Sequence, residues 1–195
     1  MLILGSRLIN SAVMSLQTGG RLASAEKPVI DPATLKIIAY EVSGPLLTET
    51  PSFIRTADVR EYGRLGMIID STDELIGLSD VIAIEKIYKL GFVLIGMAVI
   101  DENKRKLGKV GDYTLDTDTF SIQQINVQRS FFMSFNDTGL LINRSQIVEI
   151  NNNAIIVKSP TVKSAEPVME SMRREFVNPF KKPQNQPEPE TTVTQ

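Results

Sequence analysis

Short apolar or alternating runs of about four to eight residues make up most of the chain as far as residue 157. Residues that favour chain reversal separate these runs, as at 19–20 (GG), 31–32 (DP) and 151–153 (NNN). Glycine and asparagine tolerate a positive φ, and proline presets a turn. The pattern therefore predicts a mainly all-β fold built from short strands and hairpins.

The pattern of runs repeats along the chain. Residues 8–13 (LINSAV) resemble residues 94–99 (LIGMAV) at a spacing of 86, and both are predicted to be strands. Asp31 matches Asp116 at a spacing of 85, after a turn that is one residue longer in the first copy. We therefore predict two copies of one small module. Five or six strands in each copy predict a small closed β-barrel, because closure removes open sheet edges.

Two helical segments are predicted outside the copies. The first begins near Ser79 and ends before Gly91. Its β-branched residues also allow a strand at this position, so both predictions stay open. The second carries apolar residues near helical spacing, and polar residues after it predict disorder. The predicted organisation is a first barrel in 1–78, a connector helix in 79–91, a second barrel in 92–160, an amphipathic helical segment in 161–180 and a disordered tail in 181–195.

Composition excludes several chemistries. The chain has no histidine and no cysteine, which removes the commonest general base, thiolate metal sites and disulfides. We therefore expect no enzyme activity, no cofactor and no metal, and a cytoplasmic location. With 21 Lys plus Arg against 23 Asp plus Glu, nucleic acid is a disfavoured partner. The most apolar stretch, 90–100, is too short to cross a bilayer and predicts a buried strand.

A family resemblance rests on the order of three segments. They are residues 94–101 (LIGMAVID), 107–116 (LGKVGDYTLD) and 122–127 (IQQINV). This order resembles the PRC-barrel family, and the first copy is a more divergent match. The resemblance implies a small β-barrel that docks onto something larger, as in the photosynthetic reaction centre H subunit and the ribosome maturation factor RimM. It implies no catalytic residues, and fold alone does not assign a partner.

An acidic cluster, Asp112, Asp116 and Asp118, has two interpretations. Carboxylate oxygens suit a hard cation, so the cluster is a candidate metal site. Asp31 recurs at the position of Asp116 in a predicted turn, where the side chain caps its own backbone. We therefore favour a structural role for these carboxylates.

Candidate partner contacts lie in two segments. An insertion in the second copy carries dense aromatic residues, and the C-terminal segment combines apolar with basic residues. Packing against the barrels and contact with a partner are both open for each, and weak peripheral membrane contact is also open for the C-terminal segment. The candidate contact residues are Phe131, Phe132, Phe135, Met172, Arg173, Phe176 and Phe180.

Three functions compete on this evidence. The leading hypothesis is a non-enzymatic adaptor that binds a protein partner through the barrels and the C-terminal segment. The alternative is a ribosome-associated or RNA-associated maturation factor, by analogy with the maturation-factor relative. An enzyme that uses carboxylates or lysine is the least favoured, because the sequence supplies no nucleophile beside an oriented base. The sequence does not predict an oligomeric state.

Overall fold

The structure, a computed structural model, describes residues 1–128, 139–151 and 153–159. Fourteen strands and one α-helix occur in these ranges, and short 3₁₀ turns join several of them. The predicted amphipathic segment 161–180 and tail 181–195 lie outside the described residues. The elements are β1 (Leu2–Leu4), β2 (Ala12–Ser15), β3 (Arg21–Asp31), β4 (Lys36–Ser43), β5 (Ser52–Arg55), β6 (Glu61–Gly63), β7 (Gly66–Ile69), β8 (Leu75–Gly77), α1 (Ile82–Lys89), β9 (Ala98–Asp101), β10 (Lys106–Asp116), β11 (Ser121–Gln128), β12 (Leu140–Asn143), β13 (Ile147–Ile150) and β14 (Ala154–Val157).

All fourteen strands belong to one hydrogen-bonded sheet. Its main path runs β13-β14-β9-β10-β11-β4-β3-β2-β7-β6, and β1, β5, β8 and β12 pair alongside that path. The predicted mainly all-β fold is confirmed. The predicted connecting helix is also confirmed, since α1 ends two residues before Gly91, which has a φ of 60°.

The two halves of the sheet share one pairing scheme. In the first half, β3 pairs antiparallel with β2 and β4, while β7 pairs parallel with β2. In the second half, β10 pairs antiparallel with β9 and β11, while β14 pairs parallel with β9. Both halves contribute aliphatic side chains that are almost fully buried to one continuous hydrophobic core. They include Val13, Ile37 and Ile69 in the first half, and Val99, Ile122 and Val157 in the second.

The halves meet where β4 pairs with β11. The amide of Ile37 donates to the carbonyl of Phe120, and the amide of Ile122 donates to the carbonyl of Leu35, both at 2.9 Å. Leu35 and Phe120 both have a positive φ, of 47° and 53°. The two bonds are reciprocal, so the junction has the form of a local two-fold contact.

The predicted strands over 8–13 and 94–99 are wrong in their first residues. Only the ends of these segments join β2 and β9. Asn10 and Gly96 have a positive φ, of 62° and 86°, which breaks the extended backbone. Each amide instead donates to a carbonyl of the next strand, at 2.7 Å in both cases. Because of this backbone conformation, both strands begin at matched positions, Ala12 and Ala98.

Helix α1 covers the outer face of the first half. Ile84 of α1 is buried in a small cluster with Val29 and Phe53. The rings of Phe53 and Tyr88 meet edge to face, with centroids 5.1 Å apart. In the second half, the position that matches Phe53 is Leu141, and its side chain is 59% exposed.

Candidate functional site

Every contact residue predicted from the sequence lies outside the described residues. This holds for the aromatic insertion and for the C-terminal segment alike. The residues concerned are Phe131, Phe132, Phe135, Met172, Arg173, Phe176 and Phe180. These contact residues therefore stay predictions. The described residues form a different candidate binding surface.

The acidic cluster is structural. Asp31 and Asp116 each accept a hydrogen bond from the amide two residues ahead, at 2.9 and 3.3 Å, and from the hydroxyl three residues ahead, at 2.6 and 3.1 Å. Asp112 accepts from the hydroxyl of Ser6 at 2.6 Å instead. The turn interpretation of Asp116 is confirmed. Over 1–128, 139–151 and 153–159, no group of carboxylates has a geometry that could hold a metal ion.

Strand β1 closes one edge of β10. Leu2, Ile3 and Leu4 pair antiparallel with Asp116, Leu115 and Thr114 respectively, and Ile3 is buried. The amide of Thr117 donates to the carbonyl of Met1 at 2.9 Å, which extends the pairing. The start of the chain therefore completes the sheet of the second half.

The corresponding edge of β3 is left without such a strand. Residues 4–9 (LGSRLI) match residues 90–95 (LGFVLI) at the same spacing of 86, so the counterpart of β1 is the segment 88–90. This segment lies at the end of α1 and does not pair with β3. Pro28 and Pro32 stand where the second half has Tyr113 and Thr117. Proline has no amide hydrogen, so this edge offers fewer donors to an added strand.

Two matched glycines show the resulting asymmetry. A Cβ added at Gly5 would overlap the ring of Tyr113, so the chain is tightly packed against the edge of β10 at that point. A Cβ added at Gly91 would meet no described atom within 4 Å. One half is filled where the other is open.

The open side is a cleft of about 760 Å³, which we call the α1 cleft. Its size is within the range of ligand-binding clefts. It lies between α1, the edge of β3 and the chain around Tyr113, and its walls are mainly apolar. The apolar lining includes Ile9, Pro28, Ile30, Ile87, Phe92 and Leu94.

Apolar residues also stand exposed around the cleft. The sequence predicted a buried strand over 90–100, but β9 begins only at Ala98. Leu90, Val93 and Ile95 are exposed, and Val93 reaches 67%. Contiguous exposed apolar side chains beside a cleft are typical of interaction surfaces. The apolar composition of this stretch marks it in the sequence, but composition does not distinguish an exposed apolar surface from a core strand.

Lys27 and Glu41 are charged residues of the cleft lining that lie close to each other. The carboxylate of Glu41 is only 16% exposed, and its nearest partners are the Tyr88 hydroxyl at 3.5 Å and the Lys27 ammonium at 3.8 Å. Charged hydrogen bonds are usually about 2.7–2.9 Å long. Lys27 is itself 74% exposed. Glu41 is therefore a largely buried carboxylate with only distant partners among the described residues.

Comparison with known proteins identifies one domain. Residues 93–163 match the family model of the PRC-barrel domain. The chain therefore carries a PRC-barrel domain, and the resemblance predicted from residues 94–127 is confirmed. A PRC-barrel domain indicates a protein-interaction or scaffold module. A comparison with curated proteins found no match. In the described ranges, no helix is long and apolar enough to span a membrane.

Proposed function

We propose that this protein is a non-enzymatic adaptor of the cytoplasm, which binds a protein partner through the α1 cleft. The observation that carries the proposal is an apolar cleft with an exposed apolar rim, formed where the PRC-barrel domain meets the first half of the chain. Burial of apolar surface is the main favourable term in most protein association. A partner that covers Leu90, Val93 and Ile95 would gain that term.

Binding without catalysis agrees with the chemistry of the cleft. Its titratable lining groups are Lys27, Glu41, Asp112 and the tyrosines, and the hydroxyl of Ser6 is engaged with Asp112. Catalysis of group transfer needs a nucleophile beside an oriented base. The lining also argues against RNA, because one lysine faces two carboxylates and a phosphate backbone needs several cations.

We also propose that residues 1–78 are a divergent second copy of the PRC-barrel module. The shared strand pairing of the two halves and the reciprocal bonds at their junction support this proposal. The matched positive φ at Asn10 and Gly96, and at Leu35 and Phe120, supports it too. Duplication would explain why the α1 cleft has a filled counterpart beside β1.

A crosslinking pull-down with the full chain tests the adaptor function. The bait is compared with Val93→Glu, on the rim, and Leu16→Glu, a control equally exposed at 67% but outside the cleft lining. We expect a reproducible protein partner with the wild type and Leu16→Glu, and at least a tenfold loss with Val93→Glu. Recovery that is equal for both variants, or recovery that nuclease treatment abolishes, would contradict the proposal.

The C-terminal segment is proposed as a second contact. A chain without residues 164–195 should then recover the same partner, but less of it, because two linked contacts bind more tightly than one. Unchanged recovery would remove this segment from the proposal and leave the cleft in place.

A further inference from the structure

We propose that the α1 cleft receives an amphipathic helix of the partner protein, with aliphatic side chains one turn apart and a lysine or arginine directed at Glu41. The inference rests on the proposed function and names the kind of partner segment that the cleft fits. Three properties of the described residues carry it: the backbone of the β3 edge, the apolar rim and the position of Glu41.

The backbone of the β3 edge favours a helix over a strand. At the matched edge of β10, the amide of Thr117 donates to the carbonyl of Met1 at 2.9 Å, and the amide of Tyr113 donates to the carboxylate of Asp112 at 2.7 Å. Pro28 of β3 replaces Tyr113, and Pro32, directly after β3, replaces Thr117, so neither position has an amide hydrogen. An added strand would therefore find missing partners for its own carbonyls. A helix satisfies its backbone internally and needs only side-chain contacts.

The shape of the apolar surface suits side chains at helical spacing. Ile30 and Ile87 line the cleft together with Val93 and Ile95, which are also exposed to solvent. Residues three and four apart on a helix lie on one face, about 5–6 Å apart. Two such aliphatic side chains can enter the cleft while a third covers the rim.

Glu41 sets the charge of the partner. Its carboxylate is largely buried, and its nearest partners lie at 3.5 and 3.8 Å. An approaching helix would remove more water from it, which is unfavourable unless a donor is supplied. A lysine or arginine on the helix supplies that donor at short range. The exposed Lys27 can turn away, because its ammonium stands 3.8 Å from the carboxylate and is itself 74% exposed to water.

Peptide selection tests the inference directly. A phage-displayed library of random 16-residue peptides is panned on the immobilised full chain, with the Val93→Glu chain in solution as competitor. We expect enriched peptides with aliphatic residues at i, i+3 or i+4, and i+7, and a lysine or arginine on the same face. Binding of the synthesised consensus peptide is then measured by fluorescence anisotropy.

The variants separate the three parts of the argument. Val93→Glu should weaken the consensus peptide at least tenfold, and Glu41→Gln should weaken it about tenfold, since a hydrogen bond between charged groups is lost. Leu16→Glu should leave binding unchanged. Thermal unfolding of each variant confirms that it is folded. A peptide in which the basic residue is changed to glutamate should bind at least tenfold more weakly.

Several results would overturn the inference while leaving the adaptor function intact. They are enriched peptides that alternate with a period of two, enriched acidic peptides, no enrichment, or binding that survives Val93→Glu. Sedimentation that shows a dimer of the wild type but a monomer of Val93→Glu would assign the cleft to a second copy instead. If the pull-down partner is lost with Val93→Glu but one of these results is found, the adaptor function stands and the helical partner segment is refuted.

Discussion

The hydroxyl of Tyr40 is the clearest energetic flaw in the core, so its removal should stabilise the protein. Tyr40 is fully buried, and its ring meets Phe120 edge to face at 6.4 Å between centroids. Its hydroxyl has no hydrogen-bond partner among the described residues. Burial raises the pKa of Tyr40 well above its usual value, so the group stays neutral. Tyr40→Phe removes this hydroxyl and keeps the ring.

The size of the effect follows from the desolvation of one hydroxyl. An unsatisfied buried hydroxyl costs about 1–3 kcal/mol. Because the native site is preserved, we expect a gain of about 1 kcal/mol, which raises Tm by about 2–4 °C in a chain of this size. Urea unfolding followed by circular dichroism measures the gain.

Tyr62→Phe is the matched control for Tyr40→Phe. The Tyr62 hydroxyl is less buried and lies 3.5 Å from the carbonyl of Arg7. Its removal should change stability by less than about 0.5 kcal/mol. Destabilisation of Tyr40→Phe by 1 kcal/mol or more would refute the reasoning, because the hydroxyl would then have a bonding partner such as an ordered water.

Three further variants test the packing and charge of the described residues. Gly66→Ala should unfold the protein or cost more than about 3 kcal/mol in urea titration, because Gly66 has a φ of 109° and the added Cβ would overlap the carbonyl oxygen of Ala12. The control Gly63→Ala should cost under about 1 kcal/mol, because the nearest atom to its added Cβ is 3.6 Å away. Phe53→Ala should cost about 3–5 kcal/mol and Leu141→Ala under about 0.5 kcal/mol, and equal losses would contradict the covering role of α1. The Arg105 amide, at 2.8 Å, and its guanidinium lower the pKa of Asp101, so this carboxylate stabilises the fold above its unfolded pKa of about 4, and that stabilisation is lost as the pH falls through its folded value. Asp101→Asn should therefore weaken the pH dependence of the urea midpoint between about pH 6 and pH 2.5, and an unchanged dependence would contradict this assignment.

Local signals predicted the parts of the fold that depend on neighbours in sequence. The turn at Asp116 was predictable because an aspartate two and three residues before its donors forms the same bonds at Asp31. The connector helix was predictable from the Ser79 and Asp80 near its start and from Gly91, which follows its end. The turn involves only residues 116–119, and the helix is one continuous segment, so each depends on residues that are close in sequence.

Long-range pairing explains what the sequence did not predict. The apolar stretch 90–100 has the composition of a buried strand. Residues 88–90, where this stretch begins, match the strand β1 at a spacing of 86. That strand pairs with β10, more than 100 residues away. Whether 88–90 could pair likewise depends on the backbone amides along the edge of β3, and Pro28 in β3 and Pro32 directly after it have no amide hydrogen. No pattern within 90–100 shows whether a distant strand can pair with it, so its apolar composition predicts a core strand for residues that are exposed.

The same comparison explains how an open cleft can arise in a sheet whose two halves share one pairing scheme. In the second half, β1 fills the edge of β10, and Leu141 on the outer face is exposed. In the first half, α1 instead covers the outer face and leaves the edge of β3 open. The eight residues of α1 form a helix on the outer face, so they cannot also form a strand on the edge of β3. The helix buries Ile84 against Phe53, and the open cleft beside Pro28 is the structural consequence of that choice.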